Sequence, residues 1–347
     1  MAKRLAASTS HSMLVDQVNC LWVCGANECG QLGNGETADA LSPIRTLKNV
    51  VQISSMGDHS MAILSDHTLW GWGDNRYGQI GDGAASVYDN QSVSTDHNRY
   101  VPVRVLGDVR TVSAGRFHTM AVKNDNTLWA WGYNKYGQLM AGTTIDSPSP
   151  IKVMDHVKDV FAGKFNSFVV LADDTLLACG FNKYGHLGDG TTKDKLVPVK
   201  IMNHIKSVGA GIRHSVMLQT DGSVFCCGDN KMFQIGNGTQ TAALTPTRIA
   251  QDCSLIAANG FHTMILKKSG MLYGWGSNTC NQVMSKRDRY IREPSFVMDC
   301  IADVCVGEYH TLLMDESGYK SYGRNNHGQL GDGTRINKKT PVFMNVV

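Results

Sequence analysis

Seven glycines constrain this chain more than any other feature. Gly25, Gly73, Gly132, Gly180, Gly228, Gly276 and Gly323 follow one another at intervals of 48, 59, 48, 48, 48 and 47 residues. Two positions beyond each stands an asparagine: Asn27, Asn75, Asn134, Asn182, Asn230, Asn278 and Asn325. Seven of the eight prolines keep the same count, at Pro43, Pro102, Pro150, Pro198, Pro246, Pro294 and Pro341. At 347 residues a chain would ordinarily be expected to split into two domains. A period near 48 from end to end predicts instead one propeller or solenoid built from seven copies of one unit.

The unit reads as β. Alternating or aromatic runs such as Leu128-Trp129-Ala130-Trp131 precede each glycine. A histidine lies fourteen residues before most of them (His11, His59, His118, His214, His262) and thirteen before the last, His310, while the fourth unit has Asn166 there. Midway falls a turn signal such as Asp66-His67, Asp125-Asn126 or Asp221-Gly222, weak only at Val18-Asn19. This predicts a hairpin with histidine and glycine facing each other at its open end. A Val/Ile-rich run before it supplies a third strand, and the segment after each proline a fourth, with proline at the start of an edge strand. The expected fold is all-β, a seven-bladed β-propeller of four-stranded blades. Residues 1–347 then form a single domain with units 1–51, 52–110, 111–158, 159–206, 207–254, 255–302 and 303–347.

Composition narrows the function. Net charge is +3 with 18% charged residues, which disfavours a polycationic nucleic-acid binder. No run reaches the roughly 18 apolar residues of a membrane span. No apolar segment follows Lys3 and Arg4, so no signal peptide is visible and a cytoplasmic location is favoured. The ten cysteines form no CxxC pair or small disulfide framework, consistent with a reducing compartment.

The pattern L-W-x-W-G-x-N-x-x-G-Q-L-G-D-G, as at Leu69–Gly83, with A-G-x-x-H-T upstream and P-x-x-V downstream, resembles the regulator of chromosome condensation repeat. The resemblance covers essentially the whole chain. It implies a rigid ring that binds another protein. Members include a chromatin-bound guanine-nucleotide exchange factor for a small GTPase and secreted bacterial proteins, so the fold leaves the partner open.

Residues present in every unit are expected to serve the blade. The histidines are expected to hydrogen-bond backbone near the Gly-x-Asn turn, and the asparagines to cap that turn and tolerate positive φ. The glycines, Gly73, Gly132 and Gly180 among them, are expected to supply positive φ or close backbone approach. Cys24, Cys179 and Cys227 stand where other units have Trp72, Trp131 and Trp275, as core substitutes. Cys20, Cys24 and Cys29 match no zinc spacing. With no nucleophile elbow, catalytic carboxylate pair or Walker lysine, neither an enzyme, a cofactor nor a metal is expected.

Function should then lie in what varies. Chain direction places the loop before the histidine and the loop after the glycine on one face of the ring. There units three and four concentrate Arg116, Phe117, Tyr133, Lys135, Tyr136, Lys164, Phe165, Phe181, Lys183 and Tyr184, the composition of interface hot spots. Arg213, Phe261 and Tyr309 continue the face. Tyr77, Tyr136 and Tyr184 share one phase, so packing between blades is an equal expectation for them. Asp58, Asp74, Asp229 and Glu308 lie in other units, predicting a charge-polarised face and an acidic protein partner for a monomeric ring. Two departures are further contact candidates: the insertion within 84–100, and the basic loop from Asn281 to Arg292. The expected function is non-catalytic protein binding. The alternatives are nucleotide exchange on a small GTPase and chromatin or nucleic-acid binding.

Overall fold

The computed structural model describes residues 4–86, 97–284 and 288–346. The centre of the second unit's insertion and residues 285–287 of the basic loop lie outside the described residues. Each sheet has four antiparallel strands in chain order, and there are seven sheets. In the third blade these are Val109–Ala114, His118–Lys123, Leu128–Gly132 and Ser147–Met154. The first strands of successive blades touch around the axis, and that of the seventh blade, Ile301–Val306, meets Leu5–Ala7 of the first. No helix among the described residues is long and apolar enough to cross a membrane.

Within a blade, the hairpin register pairs His118 with Gly132 and His59 with Gly73. A side chain at Gly132 is excluded twice over. Its φ is +97°, and a Cβ would lie 2.6 Å from the Phe117 carbonyl oxygen and 2.8 Å from His118 Cα. The hairpin turns use left-handed residues: His67, Asn126 and Asp174 all have φ 63°. Asn19 does the same in the first blade, where Asp16 caps the turn by accepting from the Val18 and Cys20 N–H groups.

Two local expectations are corrected. The repeat asparagines cap as expected but without positive φ, which falls instead to glycines around them such as Gly73 and Gly78. Asn134 Oδ1 accepts from Leu139 N–H at 2.9 Å, and its amide donates to the Thr143 and Ile145 carbonyls, both at 3.0 Å. The prolines lie inside the outer strand. Pro43 is within Ala40–Leu47, where the register jumps from the Gly25–Ala40 pair to the Val23–Ile44 pair. A proline lacks the N–H that a ladder needs, and an irregular stretch of an outer strand does not ask for it.

The apolar core lies between blades. One cluster joins Met13, Leu21 and Val23 of the first blade to Ile53, Ala62 and Trp72 of the second; another joins Leu312 of the seventh to Leu5 and Leu14 of the first. No strand is exchanged between the chain ends, and the seam is closed by side chains together with backbone bonds such as Gly333 N–H to the Leu41 carbonyl at 3.0 Å. Ser12 Oγ lies 2.9 Å from His310 Nε2 and donates to the Gln329 carbonyl at 2.7 Å. Tyr319 donates to the Val15 carbonyl at 3.1 Å, and Arg335 pairs with Asp39 at 2.8 Å.

Candidate partner-binding face

The repeat histidines are consumed in joining blades. His118 Nε2 meets Ser167 Oγ at 2.8 Å, His59 meets Thr119 at 2.9 Å, and His11 and His214 likewise reach Ser60 and Thr263 of the following blade. This corrects the expected contact to backbone at the Gly-x-Asn turn. The histidine ring points across the blade boundary, and the hydroxyl there holds the backbone: Ser167 Oγ donates to the Gln138 carbonyl and Thr119 Oγ1 to that of Gln79, both at 2.7 Å. Trp131 Nε1 donates to the same Gln79 carbonyl at 3.0 Å, and at the Trp stations of two other blades Cys227 and Cys24 point their thiols at the equivalent His186 and Gln329 carbonyls. His262 differs, with no partner at either ring nitrogen among the described residues. Burial holds every one of these imidazoles neutral, each pushed down to about 3.

The variable residues lie where the two sets of loops interleave. Tyr77 packs on Phe117 at 5.2 Å and on Tyr133 at 4.7 Å between ring centres. Phe165 meets Phe117 at 5.8 Å, Tyr133 at 6.1 Å and Tyr136 at 5.6 Å. Tyr136 then meets Phe181 at 4.9 Å, and Phe181 meets Tyr184 at 6.0 Å. The result is a continuous ladder of half-buried rings from the second blade to the fourth. The shared-phase tyrosines therefore both bridge blades and present a surface.

Cations cap this ladder. Arg116 lies over Phe117 at 5.3 Å and Lys164 over Phe165 at 5.9 Å. Arg213 lies over Tyr184 at 4.4 Å and Phe261 at 5.7 Å, with Asp229 3.8 Å away. Lys135 and Lys183 are exposed beside the rings. Tyr309 stands apart in the seventh blade under Arg324, at 5.2 Å. Burial, then the neighbouring Tyr136 and Tyr77, raises the Tyr133 phenol to about 12, so it remains a neutral donor.

Sequence reasoning missed His186 as a member. It replaces the repeat glutamine and ends the ladder 5.7 Å from Phe181. The signal was the change from Gly-Gln-Leu to Gly-His-Leu at 185–187. The charge sorting also needs correction. Glu308 of the seventh blade shares a depression with Arg116 and Lys164, because the innermost loop residues converge on the axis however far apart their blades stand around the ring.

A closed ring of seven such blades defines a propeller of the regulator of chromosome condensation class. The chain belongs to that family: models for the Regulator of chromosome condensation (RCC1) repeat match residues 19–63, 66–122, 125–170, 173–218 and 221–266, and a second such model matches 50–79, 109–138, 205–234 and 253–282. Among curated proteins it is similar to the Ultraviolet-B receptor UVR8 of Arabidopsis thaliana, 30% identical over 151 residues. That match covers 42% of this chain and 33% of the receptor, so it spans about a third of the relative's length. Among solved structures, human WBSCR16 superposes with a TM-score of 0.78 at 22% identity, over 91% of this chain and 87% of that one. Prp20p from Saccharomyces cerevisiae, described with its binding to Gsp1p and histones, gives 0.75 at 21% identity, over 87% and 80%. At these identities the likeness to both structures establishes the fold.

Proposed function

We propose that this chain is a non-catalytic propeller that binds an acidic segment of a protein partner across its third to fifth blades. The observation that supports this is the aromatic ladder. Half-exposed rings held in tilted and edge-to-face contact, with Arg116, Lys164 and Arg213 on them and Lys135 and Lys183 beside them, offer rigid apolar area and positive charge together. Affinity capture from the native organism tests it with Lys135→Glu and Lys183→Glu combined, since both side chains are exposed and neither supports the core. Proteins retained by the wild type are expected to be lost by the double variant at unchanged melting temperature. An unchanged set of captured proteins would reject the face.

A second reading, nucleotide exchange on a small GTPase, is favoured by the likeness to Prp20p, which binds Gsp1p. Release of labelled GDP from a panel of GTPases reads this directly. Acceleration of release supports exchange, and its absence removes that activity for the GTPases in the panel.

A further inference from the structure

One residue from each of several blades lines a small depression where the ring axis opens on this face, among them Thr9, Met56, Arg116, Lys164 and Glu308. The loops that carry them are fastened to one another. Arg116 N–H donates to the Gly163 carbonyl at 3.3 Å, so Arg116 and Lys164 are presented from adjoining, hydrogen-bonded loops. Glu308 N–H is tied to the Ser8 carbonyl at 3.1 Å, and Thr9 Oγ1 to the Met56 carbonyl at 3.3 Å. The rim is thus fastened by hydrogen bonds between neighbouring loops at these three seams.

Within it Arg116 and Lys164 face the single carboxylate of Glu308, while Asp58 acts on Arg116 from outside the depression. Both cationic side chains are half-buried. Among the described residues neither has a carboxylate within 4.0 Å, although ten ion pairs occur elsewhere. Burial, then the adjacent Arg116, lowers the Lys164 ammonium below its ordinary value, and Glu308 opposes that shift without closing on it. Two desolvated cations held together by the backbone carry a repulsion that an anion between them would cancel.

We propose that this axial mouth is an oxyanion site, with Arg116 and Lys164 closing on a carboxylate or phosphate and Glu308 acting as the competing internal charge. Arg116 supplies planar paired donors and Lys164 a point charge, a combination suited to a compact oxyanion. The depression is small, so only the anionic tip enters, and whatever carries it lies outward over Phe117 and Phe165. The inference extends the proposed binding face to its hub and does not depend on which protein binds there.

Calorimetric titration of the full chain with inorganic phosphate and, separately, acetate, at fixed chloride, tests it. Saturable one-site binding is expected for the wild type. Arg116→Gln and Lys164→Gln are each expected to weaken it about tenfold or more, and Glu308→Gln to tighten it several-fold. Binding of phosphate alone would assign a phosphoryl source, and binding of acetate as well a carboxylate source. No saturation with either anion, or affinity unchanged in the Arg116→Gln/Lys164→Gln double variant, would overturn the site. Melting temperatures of the anion-free variants report their folding, and the gain at Glu308→Gln cannot arise from misfolding. Phosphate binding that persists while capture fails at Lys135 and Lys183 separates the two proposals.

Discussion

His118 and Ser167 sit in neighbouring blades with Nε2 and Oγ 2.8 Å apart, and their protons can be assigned. The serine has one hydroxyl hydrogen, and the Gln138 carbonyl 2.7 Å away accepts it. Ser167 Oγ can therefore only accept from His118, which fixes the imidazole as its neutral Nε2–H tautomer. Ser167→Ala would strand that N–H in a buried site and take a donor from the carbonyl. A loss of about 1–3 kcal/mol in apparent stability is expected, read as a lower urea midpoint. Ser167→Thr is expected to restore it, since Thr119, Thr263 and Thr311 fill the same station in other blades.

The neutral histidines make the ring acid-sensitive. His11, His59, His118, His186, His214, His262 and His310 are all pushed down to about 3 by burial. In the unfolded chain they titrate near 6.5. Above that value neither state is protonated and stability is intact. As pH falls from 6.5 towards 3, the unfolded state binds protons that the native state refuses, so stability drops. Each histidine contributes up to about 1.4 kcal/mol per pH unit in that window. Denaturant midpoints measured between pH 7.5 and 5 should fall steeply below pH 6.5. A flat profile would mean that the imidazoles are not buried neutral in solution.

The repeat architecture was open to sequence reasoning because glycine, asparagine and proline each answer a local backbone demand that recurs at a fixed phase. The cross-blade latch was not. Its hydroxyl alternates between Ser60, Thr119, Ser167 and Thr263, and its meaning depends on a carbonyl contributed by the preceding blade. The face residues were legible as a set, since loop aromatics beside cations stand out against the repeat. Their arrangement was hidden: whether Tyr133 touches Phe165, or Glu308 approaches Lys164, depends on ring curvature that one blade does not encode.

Two phenylalanines at the same repeat phase should behave differently. Phe165 contacts the rings of Phe117, Tyr133, Tyr136 and Phe181, whereas Phe261 has no aromatic partner among the described residues and carries only the Arg213 guanidinium over its ring. Phe165→Ala should lower stability by about 2–4 kcal/mol through loss of buried area, two edge-to-face contacts and two tilted ones. Phe261→Ala should cost less than about 1 kcal/mol. Thermal unfolding of the two variants side by side decides this, and equal shifts would show that the ladder contributes nothing beyond each ring's own burial.

The thiols offer a check that needs no mutation. All ten cysteines are free, and Cys300 is exposed, whereas Cys24, Cys179, Cys226 and Cys227 are buried. Burial raises Cys24 and Cys179 to about 12 and Cys29, half-covered beside Asp74, to about 11, while Cys226 and Cys227 rise further still. Because the thiolate is the reactive form, accessibility and these shifts act in the same direction. At pH 8 the native protein should release thionitrobenzoate from an aromatic disulfide reagent fastest at the exposed Cys300 and more slowly at the half-exposed Cys29, Cys280 and Cys305, and the six buried thiols should react only as the ring opens. Cys300→Ser should remove the fast phase. Rapid reaction of more than four equivalents would show that the seams between blades open far more readily than the hydroxyl–histidine latches and interblade cores allow.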